Sequence, residues 1–243
     1  MPLPKLNTIT YQLVLPSNNQ KITYRPFTVE EEKILLTAQE SDESRDILHA
    51  MRQIINNCVQ EKIDVEQMPT FDLEYFFLNI RSKSTGDVIE LILKHPNSTN
   101  AKGEHCEGKQ TVAIQIDDIK VEKSENHKNK FQLDDKVGVQ LKYPTFEMLS
   151  ESQEGNSNEF EELINLIANS IDMIYDENET YDAGDSPKEE LISFVKSMNQ
   201  NQMKMVQEFF ETMPVLRHTI TYTCPMCECD ETIEIKGFQN FFL

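Results

Sequence analysis

A CPxC turn between two strand-like segments is the strongest structural signal in this chain. Residues 218–223 alternate polar and apolar side chains up to Cys224-Pro-Met-Cys227, and Thr232-Ile-Glu-Ile235 leads away from the turn. Short β-rich runs on both sides of a turn are typical of a β-hairpin. A tetrahedral zinc needs four ligands, and two cysteines at this spacing supply two of them. The sequence therefore predicts a hairpin with half a zinc site at its tip.

An internal repeat predicts where the other two ligands come from. Residues at about 70–116 and 199–235 share one order of parts: a helix, a strand, a His-Pro or Cys-Pro turn, and a return strand. In the first copy the turn begins at His95-Pro96 and ends near His105-Cys106. Two such turns that face each other form a zinc-ribbon-like unit. The predicted ligands are His95, Cys106, Cys224 and Cys227, with His105 and Cys229 as substitutes, and reduced thiols without a metal are the alternative.

The predicted zinc has a structural role, because four protein ligands leave no coordination position for water. The sequence contains no Gly-rich phosphate loop, no HExxH and no GxSxG motif. We therefore expect a protein that is not an enzyme, with no catalytic residue. Cys58 shares the apolar stripe of a predicted helix and is expected to be a core residue. Three histidines without a motif partner are expected to be surface or helix residues: His49, His127 and His218.

Hydrophobic periodicity predicts an α+β fold, in which helices pack on antiparallel β-hairpins within a single domain, 1–243. An N-terminal hairpin covers Ile9 to Tyr24, and later strands cover 88–93, 111–116 and 137–141. Helices are predicted to begin at Thr28, near Glu43, at Thr70, at Ser186 and at Asn199. The apolar stripe from Phe160 to Tyr175 predicts one acidic-faced helix, with acidic linkers at about 150–158 and 176–185.

The charge balance bears on the partners. A net charge of −19, from 42 acidic and 23 basic residues, argues against a nucleic-acid-binding surface, which needs clustered Lys and Arg.

The N-terminus lacks a basic and apolar leader, and no run of 18 apolar residues occurs, so neither secretion nor membrane insertion is expected. Five cysteines, an odd number, fit a reducing compartment. We expect a protein that is cytosolic where it is made.

Eight short blocks follow one another along nearly the whole chain. They are Leu3-Pro-Lys-Leu-Asn7, Tyr24-Arg-Pro-Phe27, Glu31-Glu-Lys-Ile-Leu-Leu36, Gln53-Ile-Ile-Asn-Asn-Cys58, Phe71-Asp-Leu-Glu-Tyr75, Ile80-Arg-Ser-Lys-Ser84, Glu189-Glu-Leu191 and Gln207-Glu-Phe-Phe-Glu-Thr-Met-Pro214. In this order the chain resembles the baseplate hub assembly protein family of T4-type contractile-tailed bacteriophages. Many members of that family have a CPxC-like turn in both hairpins. The resemblance thus implies that His95-Pro96 and Cys106 are a divergent, lengthened version of the first turn.

The resemblance also implies a function. It implies a non-enzymatic phage protein that acts in forming the central hub of the tail baseplate, as a chaperone, an initiator or a component. The expected partners are baseplate hub proteins and the tape-measure protein, and self-association is left open. The expected location is the host-cell cytoplasm during assembly, and presence in the virion tail baseplate is left open. The aromatic residues Phe238, Phe241 and Phe242 are a candidate docking segment, although they fit packing on their own sheet equally well.

Two other classes of function are left open by the CPxC turn. A zinc-ribbon adaptor in transcription or nucleic-acid handling needs a basic face beside the turn. The neighbours are acidic instead: Glu228, Asp230, Glu231 and Glu234. A zinc hydrolase needs an open coordination position, which a four-ligand site lacks.

Overall fold

The computed structural model describes residues 7–41, 44–95, 98–152 and 158–237. Within these residues the chain forms eleven strands and seven helices, which confirms the predicted α+β class. In chain order they are β1 (Tyr11–Val14), β2 (Lys21–Tyr24), α1 (Val29–Glu40), α2 (Ser44–Cys58), α3 (Thr70–Thr85), β3 (Val88–Lys94), β4 (Lys109–Gln115), β5 (Lys120–Glu122), β6 (Lys130–Gln132), β7 (Gly138–Leu141), α4 (Phe146–Ser152), α5 (Glu159–Asn169), β8 (Ile171–Tyr175), β9 (Thr180–Asp182), α6 (Lys188–Ser197), α7 (Gln200–Thr212), β10 (Val215–Thr223) and β11 (Asp230–Lys236).

The elements group into two compact units. Unit 1 comprises Met1–Ile63, Phe71–Glu122 and Val215–Leu243, and unit 2 comprises Asp64–Thr70 and Lys123–Pro214. The chain thus enters unit 2 briefly at Asp64–Thr70, leaves unit 1 again after β5 and returns to it with β10. Both hairpins that carry the predicted zinc ligands belong to unit 1. The single domain expected from the sequence stays a prediction.

Unit 1 is built from antiparallel pairs. Strand β1 pairs with β2, β3 pairs with β4, and β10 lies between β11 and β5 in a three-stranded sheet. Along β3 and β10, alternate side chains point inward, as expected for strands with one buried face. The inward side chains of the two hairpins share one hydrophobic cluster with Leu78 of α3, and this cluster includes Cys106 and Cys224. The ligand-bearing turns are therefore attached to a common core.

Helix α3 is central to unit 1, as its apolar sequence predicts. Its side chains Phe76, Phe77 and Ile80 have no exposed surface, and the Phe76 ring makes an edge contact with Tyr24 at 5.6 Å between centroids. Burial of one such aromatic side chain contributes about 1.5–3 kcal/mol. The helix thereby holds the N-terminal hairpin and leads directly into β3, and the first candidate ligand, His95, follows the last residue of that strand.

Unit 2 consists of the sheet β6–β7–β8–β9 with helices that share its hydrophobic cluster. Helix α7 begins as predicted: Asn199 accepts hydrogen bonds from the first-turn N–H groups, and the Gln202 side chain bonds back to the Asn199 N–H. Val206 and Phe209 of α7 are fully buried in this cluster. The order helix, strand, strand occurs in both predicted repeats, as α3–β3–β4 and as α7–β10–β11. Helix α7 belongs to unit 2, however, whereas the hairpin that follows it belongs to unit 1.

One predicted helix is wrong in its second half. Helix α5 ends at Asn169, and the residues expected to continue it form strand β8. Ile171, Ile174 and Tyr175 fit a helical spacing, but β8 gains two ladders of hydrogen bonds, because it pairs with both β7 and β9. Gly138 of β7 lies opposite Tyr175, and a Cβ there would be 2.2 Å from the tyrosine ring. Tertiary pairing therefore overrides the local helical pattern.

Several other segments differ from expectation or fall outside the described residues. The expected second acidic linker contains β9 and a 3-10 turn at Ala183–Asp185. The first expected linker begins inside α4, and its residues 153–157 lie outside the described part, as do Pro96 and the three candidate docking phenylalanines. Helix α4 and strands β5, β6 and β9 were not predicted. No helix in the described segments is both long enough and apolar enough to cross a membrane.

Candidate metal centre

The structure brings the four residues of the predicted ligand set together in unit 1. The candidate ligand atoms of His95, Cys106, Cys224 and Cys227 all lie within 4.8 Å of one another. Within the part of the chain that the structure describes, this is the one such group of His, Cys, Asp and Glu side chains found. His95, Cys106 and Cys224 are buried, and Cys227 is half-buried.

A short hairpin inside the predicted 95–106 loop explains how His95 and Cys106 meet. The Cys106 N–H donates to the Ser98 carbonyl at 2.8 Å, and the Asn100 N–H donates to the Glu104 carbonyl at 2.9 Å. The tip is a turn in which Gly103 has φ +81°, a backbone region that favours glycine. The buried Asn100 side chain accepts two further backbone N–H bonds in this turn. Residues 98–105 therefore act as a compact spacer that returns Cys106 to His95.

The second pair of ligands lies on the turn between β10 and β11. The Cys224 N–H donates to the Cys229 carbonyl and the Glu228 N–H donates to the Cys224 carbonyl, each at 2.9 Å. Glu228 closes the turn with φ 55°. Because β10 and β11 pair in continuous register up to Thr223 and Asp230, the turn is held at a fixed place above the shared core.

One sulfur–sulfur distance and one sulfur–nitrogen distance in the cluster match those around a tetrahedral zinc. The Cys106 and Cys224 Sγ atoms are 3.9 Å apart, and the Cys227 Sγ lies 3.4 Å from the His95 Nε2. Zinc bonds of about 2.3 Å to sulfur and 2.0–2.1 Å to nitrogen in a tetrahedron place two sulfurs about 3.8 Å apart and a sulfur and a nitrogen about 3.5 Å apart. The donor set of three thiols and one imidazole also matches zinc chemistry. The residues present therefore fit the metal that the sequence predicted.

Backbone N–H groups favour the ionised form of the turn cysteines. Burial opposes ionisation of Cys227, but hydrogen bonds from the Cys229 N–H and the Asn100 side chain, followed by the neighbouring thiols, lower its pKa to about 6. The pKa of Cys224 is also lowered, chiefly by the N–H of Cys227 and against the effect of burial. Thiolates are the form of cysteine that binds metals. The hydrogen bonds at this turn therefore stabilise the negatively charged thiolates, which are the form that binds a cation.

The pKa values of Cys106 and His95 are raised, in contrast to those of the two turn cysteines. The Gly108 N–H favours the Cys106 thiolate, but burial and the neighbouring thiols outweigh it and raise the pKa of Cys106. The pKa of His95 is raised, chiefly by its hydrogen bond with Cys224 and then by the one with Cys227. A metal ligand must be a thiolate or a neutral imidazole, so metal binding at this site releases protons.

Glu231 contacts the nitrogen of His95 that does not face Cys227. Its Oε1 atom lies 3.0 Å from the His95 Nδ1 atom and also accepts the Ala101 N–H at 2.7 Å. A carboxylate at this distance favours a proton on Nδ1, which leaves the Nε2 lone pair free to bind a metal. The ring is thus oriented with its metal-binding nitrogen toward Cys227.

Gly108 provides the space in which the two hairpins approach. A Cβ atom at this position would lie 2.4 Å from the Cys224 Sγ, 3.0 Å from the Met226 Cβ and 3.3 Å from the Cys106 Sγ. Only a residue without a side chain allows this arrangement, since Cβ contacts below 3.0 Å require a shift.

The other candidate residues from the sequence are not members of the group of four. His105, one substitute, is mostly exposed and lies 3.6 Å from Glu107. Cys229, the other substitute, is buried and its Sγ lies 3.6 Å from the Cys227 carbonyl oxygen.

Cys58 is 1% exposed, which confirms the predicted core position, and burial raises its pKa to about 12. A final group, half-buried and outside the cluster, contains His49 in α2, His218 in β10 and His127.

His127 differs most from its expected surface position. Its Nδ1 lies 3.0 Å from the Thr212 hydroxyl and its Nε2 lies 3.2 Å from the Tyr143 hydroxyl, and its ring stacks on Tyr143. Burial lowers its pKa. The residue contributes to the core of unit 2.

Glu231 and Gly108 are the site residues that sequence reasoning missed. Glu231 was counted only as one of several acidic neighbours, although its place in β11 directly opposite the buried Tyr222 indicates an inward position. Gly108 has no recognised motif, yet it lies two residues after Cys106 in a chain with only seven glycines.

Comparison with known proteins gives the family. A family model described as "T4 bacteriophage base plate protein" matches residues 7–243. Neither the curated proteins nor the solved structures gave a match to the chain. Since the family match extends over nearly the whole chain, this chain belongs to the T4 bacteriophage base plate protein family.

Proposed function

We propose that this chain is a non-enzymatic assembly protein for the central hub of the phage tail baseplate, acting as a chaperone, an initiator or a hub component. Membership of the baseplate family supports a role in that structure. The eight sequence blocks that resemble hub assembly proteins support the finer assignment. Its partners are baseplate hub proteins and the tape-measure protein, which it meets in the host-cell cytoplasm.

The proposal includes a structural zinc held by His95, Cys106, Cys224 and Cys227. The observation that carries it is the closed set of one imidazole and three thiols, all within 4.8 Å of one another. When bound, zinc supplies a cross-link between the β3–β4 and β10–β11 hairpins, which are more than 100 residues apart in sequence. With four protein ligands, the metal has no coordination position for a substrate or an activated water, which supports a role in stability rather than catalysis.

We expect the purified chain to contain one zinc per molecule. Elemental analysis measures the stoichiometry, and X-ray absorption spectroscopy should show three sulfur ligands and one nitrogen ligand. His95→Ala should lose the metal, while the matched control His105→Ala should retain it, because His105 is exposed and outside the cluster. A wild-type chain without zinc, whose thermal unfolding is unaffected by a strong chelator, would contradict the proposed metal.

The hub role is tested in infected cells. When an affinity-tagged form of the chain is cross-linked in infected cells and purified, baseplate hub proteins and the tape-measure protein should be recovered with it. Phage lacking the chain should accumulate tails without complete hubs. Complete hubs in its absence would overturn the role, whatever the zinc content. Mass spectrometry of purified mature tails then separates a component, which is present, from a chaperone or initiator, which is absent.

A further inference from the structure

Glu231 connects the two hairpins behind the candidate metal centre. It belongs to β11, but its Oε1 contacts two groups of the other hairpin, the His95 ring at Nδ1 and the backbone N–H of Ala101. Its side chain is only 11% exposed, and the His95 side chain is fully buried. A buried carboxylate needs such partners, because an unpaired charge in this place is costly.

The two contacts compensate for the unusual spacing of the first ligand pair. His95 directly follows β3, and Ala101 lies at the tip of the short 98–106 hairpin, so one carboxylate oxygen contacts both the ring and the spacer. A CPxC turn holds its two cysteines through its own backbone, whereas His95 and Cys106 have ten residues between them and need an external point of attachment. Glu231 supplies that point from the opposite hairpin.

We propose that Glu231 is a positioning residue that sets zinc affinity by fixing the tautomer and orientation of His95. This inference rests on the zinc site proposed above. A carboxylate that accepts the free N–H of a zinc-bound histidine holds the ring in its metal-binding orientation. Tyr222, the cross-strand partner of Glu231, is buried with its ring 6.5 Å from the His95 ring. The buried Tyr222 ring limits the access of water to the hydrogen bond between Glu231 and His95, and this strengthens the bond.

The contact geometry permits a test that separates position from charge. Both hydrogen bonds fall on one oxygen, so Glu231→Gln can keep them through its amide oxygen while losing the charge. Glu231→Asp keeps the charge, but its side chain is one methylene shorter and cannot reach both groups. If Glu231 acts by position, the zinc dissociation constant should rise about 10–100-fold in Glu231→Asp and by less than about fivefold in Glu231→Gln.

Zinc competition with a chromophoric chelator measures these affinities in the full chain. In ¹⁵N NMR spectra, wild type and Glu231→Gln should show His95 protonated at Nδ1 with a slowly exchanging proton, and Glu231→Asp should lose that protection. Glu234→Asp is the control, because Glu234 lies on the same strand but pairs with Arg217 and Lys236. It should bind zinc as wild type does.

Two results would overturn the inference while leaving the zinc site intact. One is Glu231→Asp with wild-type affinity, and the other is Glu231→Gln as weak as Glu231→Asp. A wild-type chain that binds no zinc would instead remove the proposed metal site and this role of Glu231 with it.

Discussion

Gly108→Ala is expected to weaken zinc binding by about 10–100-fold, although no ligand is changed. The added Cβ would lie 2.4 Å from the Cys224 Sγ. The contact can be relieved only if Cys224 rotates its sulfur away or the start of β4 moves back from the turn. Either movement separates Cys224 from Cys106, whose Sγ atoms are now 3.9 Å apart. Zinc stoichiometry and competition with a chelator measure the effect.

Gly103→Ala provides the matched control for this prediction. Gly103 has φ +81° and no atom within 4 Å of an added Cβ, so alanine there introduces backbone strain of about 1–2 kcal/mol without a clash. Gly108 lies outside the positive-φ region, so its substitution tests packing alone. We expect Gly103→Ala to lose stability but keep zinc, and Gly108→Ala to resemble Cys224→Ser. Wild-type zinc affinity in Gly108→Ala would show that the hairpins do not approach as described.

The ligand cluster could be predicted because the residue types and their spacing along the sequence identify the ligands. Cys224 and Cys227 form a turn motif, and the repeat indicated His95 and Cys106 as the opposite pair. The supports of the cluster could not be predicted in the same way. Glu231 acts through a contact across 136 positions, and Gly108 acts through a side chain that it lacks. Such roles depend on tertiary distances that a single sequence does not show.

The fold shows the same division between local and long-range information. Helix α7 was predicted from its capping box, since Asn199 and Gln202 are three residues apart and act on one helix turn. Strand β8 was missed because its partners β7 and β9 determine its conformation, and its isoleucines satisfy a helical spacing by themselves. Where a neighbouring strand supplies the hydrogen bonds, local periodicity is a weaker guide.

An ion pair between Arg25 and Glu31 stabilises unit 1 independently of any metal. Arg25, which follows β2, forms a two-pronged ion pair with Glu31 in the first turn of α1, with N–O distances of 2.6 and 3.0 Å. Glu31 also accepts the N–H and hydroxyl of Thr28, so it caps the helix. Arg25 donates in addition to the Asn57 carbonyl near the end of α2. One ion pair therefore joins the N-terminal hairpin to two helices.

Glu31→Ala is expected to reduce the free energy of unfolding by about 2–4 kcal/mol. The change leaves the Arg25 guanidinium without its carboxylate and removes the helix cap. Glu30→Ala is the matched control: Glu30 lies in the same first turn but is exposed, and its loss should cost about 0.5 kcal/mol or less. Because the chain has no tryptophan, denaturant unfolding is followed by circular dichroism. Equal losses in the two variants would contradict the ion pair.

The pH dependence provides a separate test of the same contact. The hydrogen bond from Arg25, together with those from Thr28, outweighs the effect of burial and lowers the pKa of Glu31 from 4.5 to about 2. A carboxyl group whose pKa is depressed in the folded state contributes stability above its unfolded pKa, and that contribution is lost as the pH falls. We therefore expect the stability difference between wild type and Glu31→Gln to be constant above about pH 5 and to shrink by about 2–3 kcal/mol between pH 4.5 and 2. Loss of zinc at low pH affects both chains and cancels in this difference. A stability difference that stays constant down to pH 2 would show that Glu31 is not held by Arg25 in its ionised form.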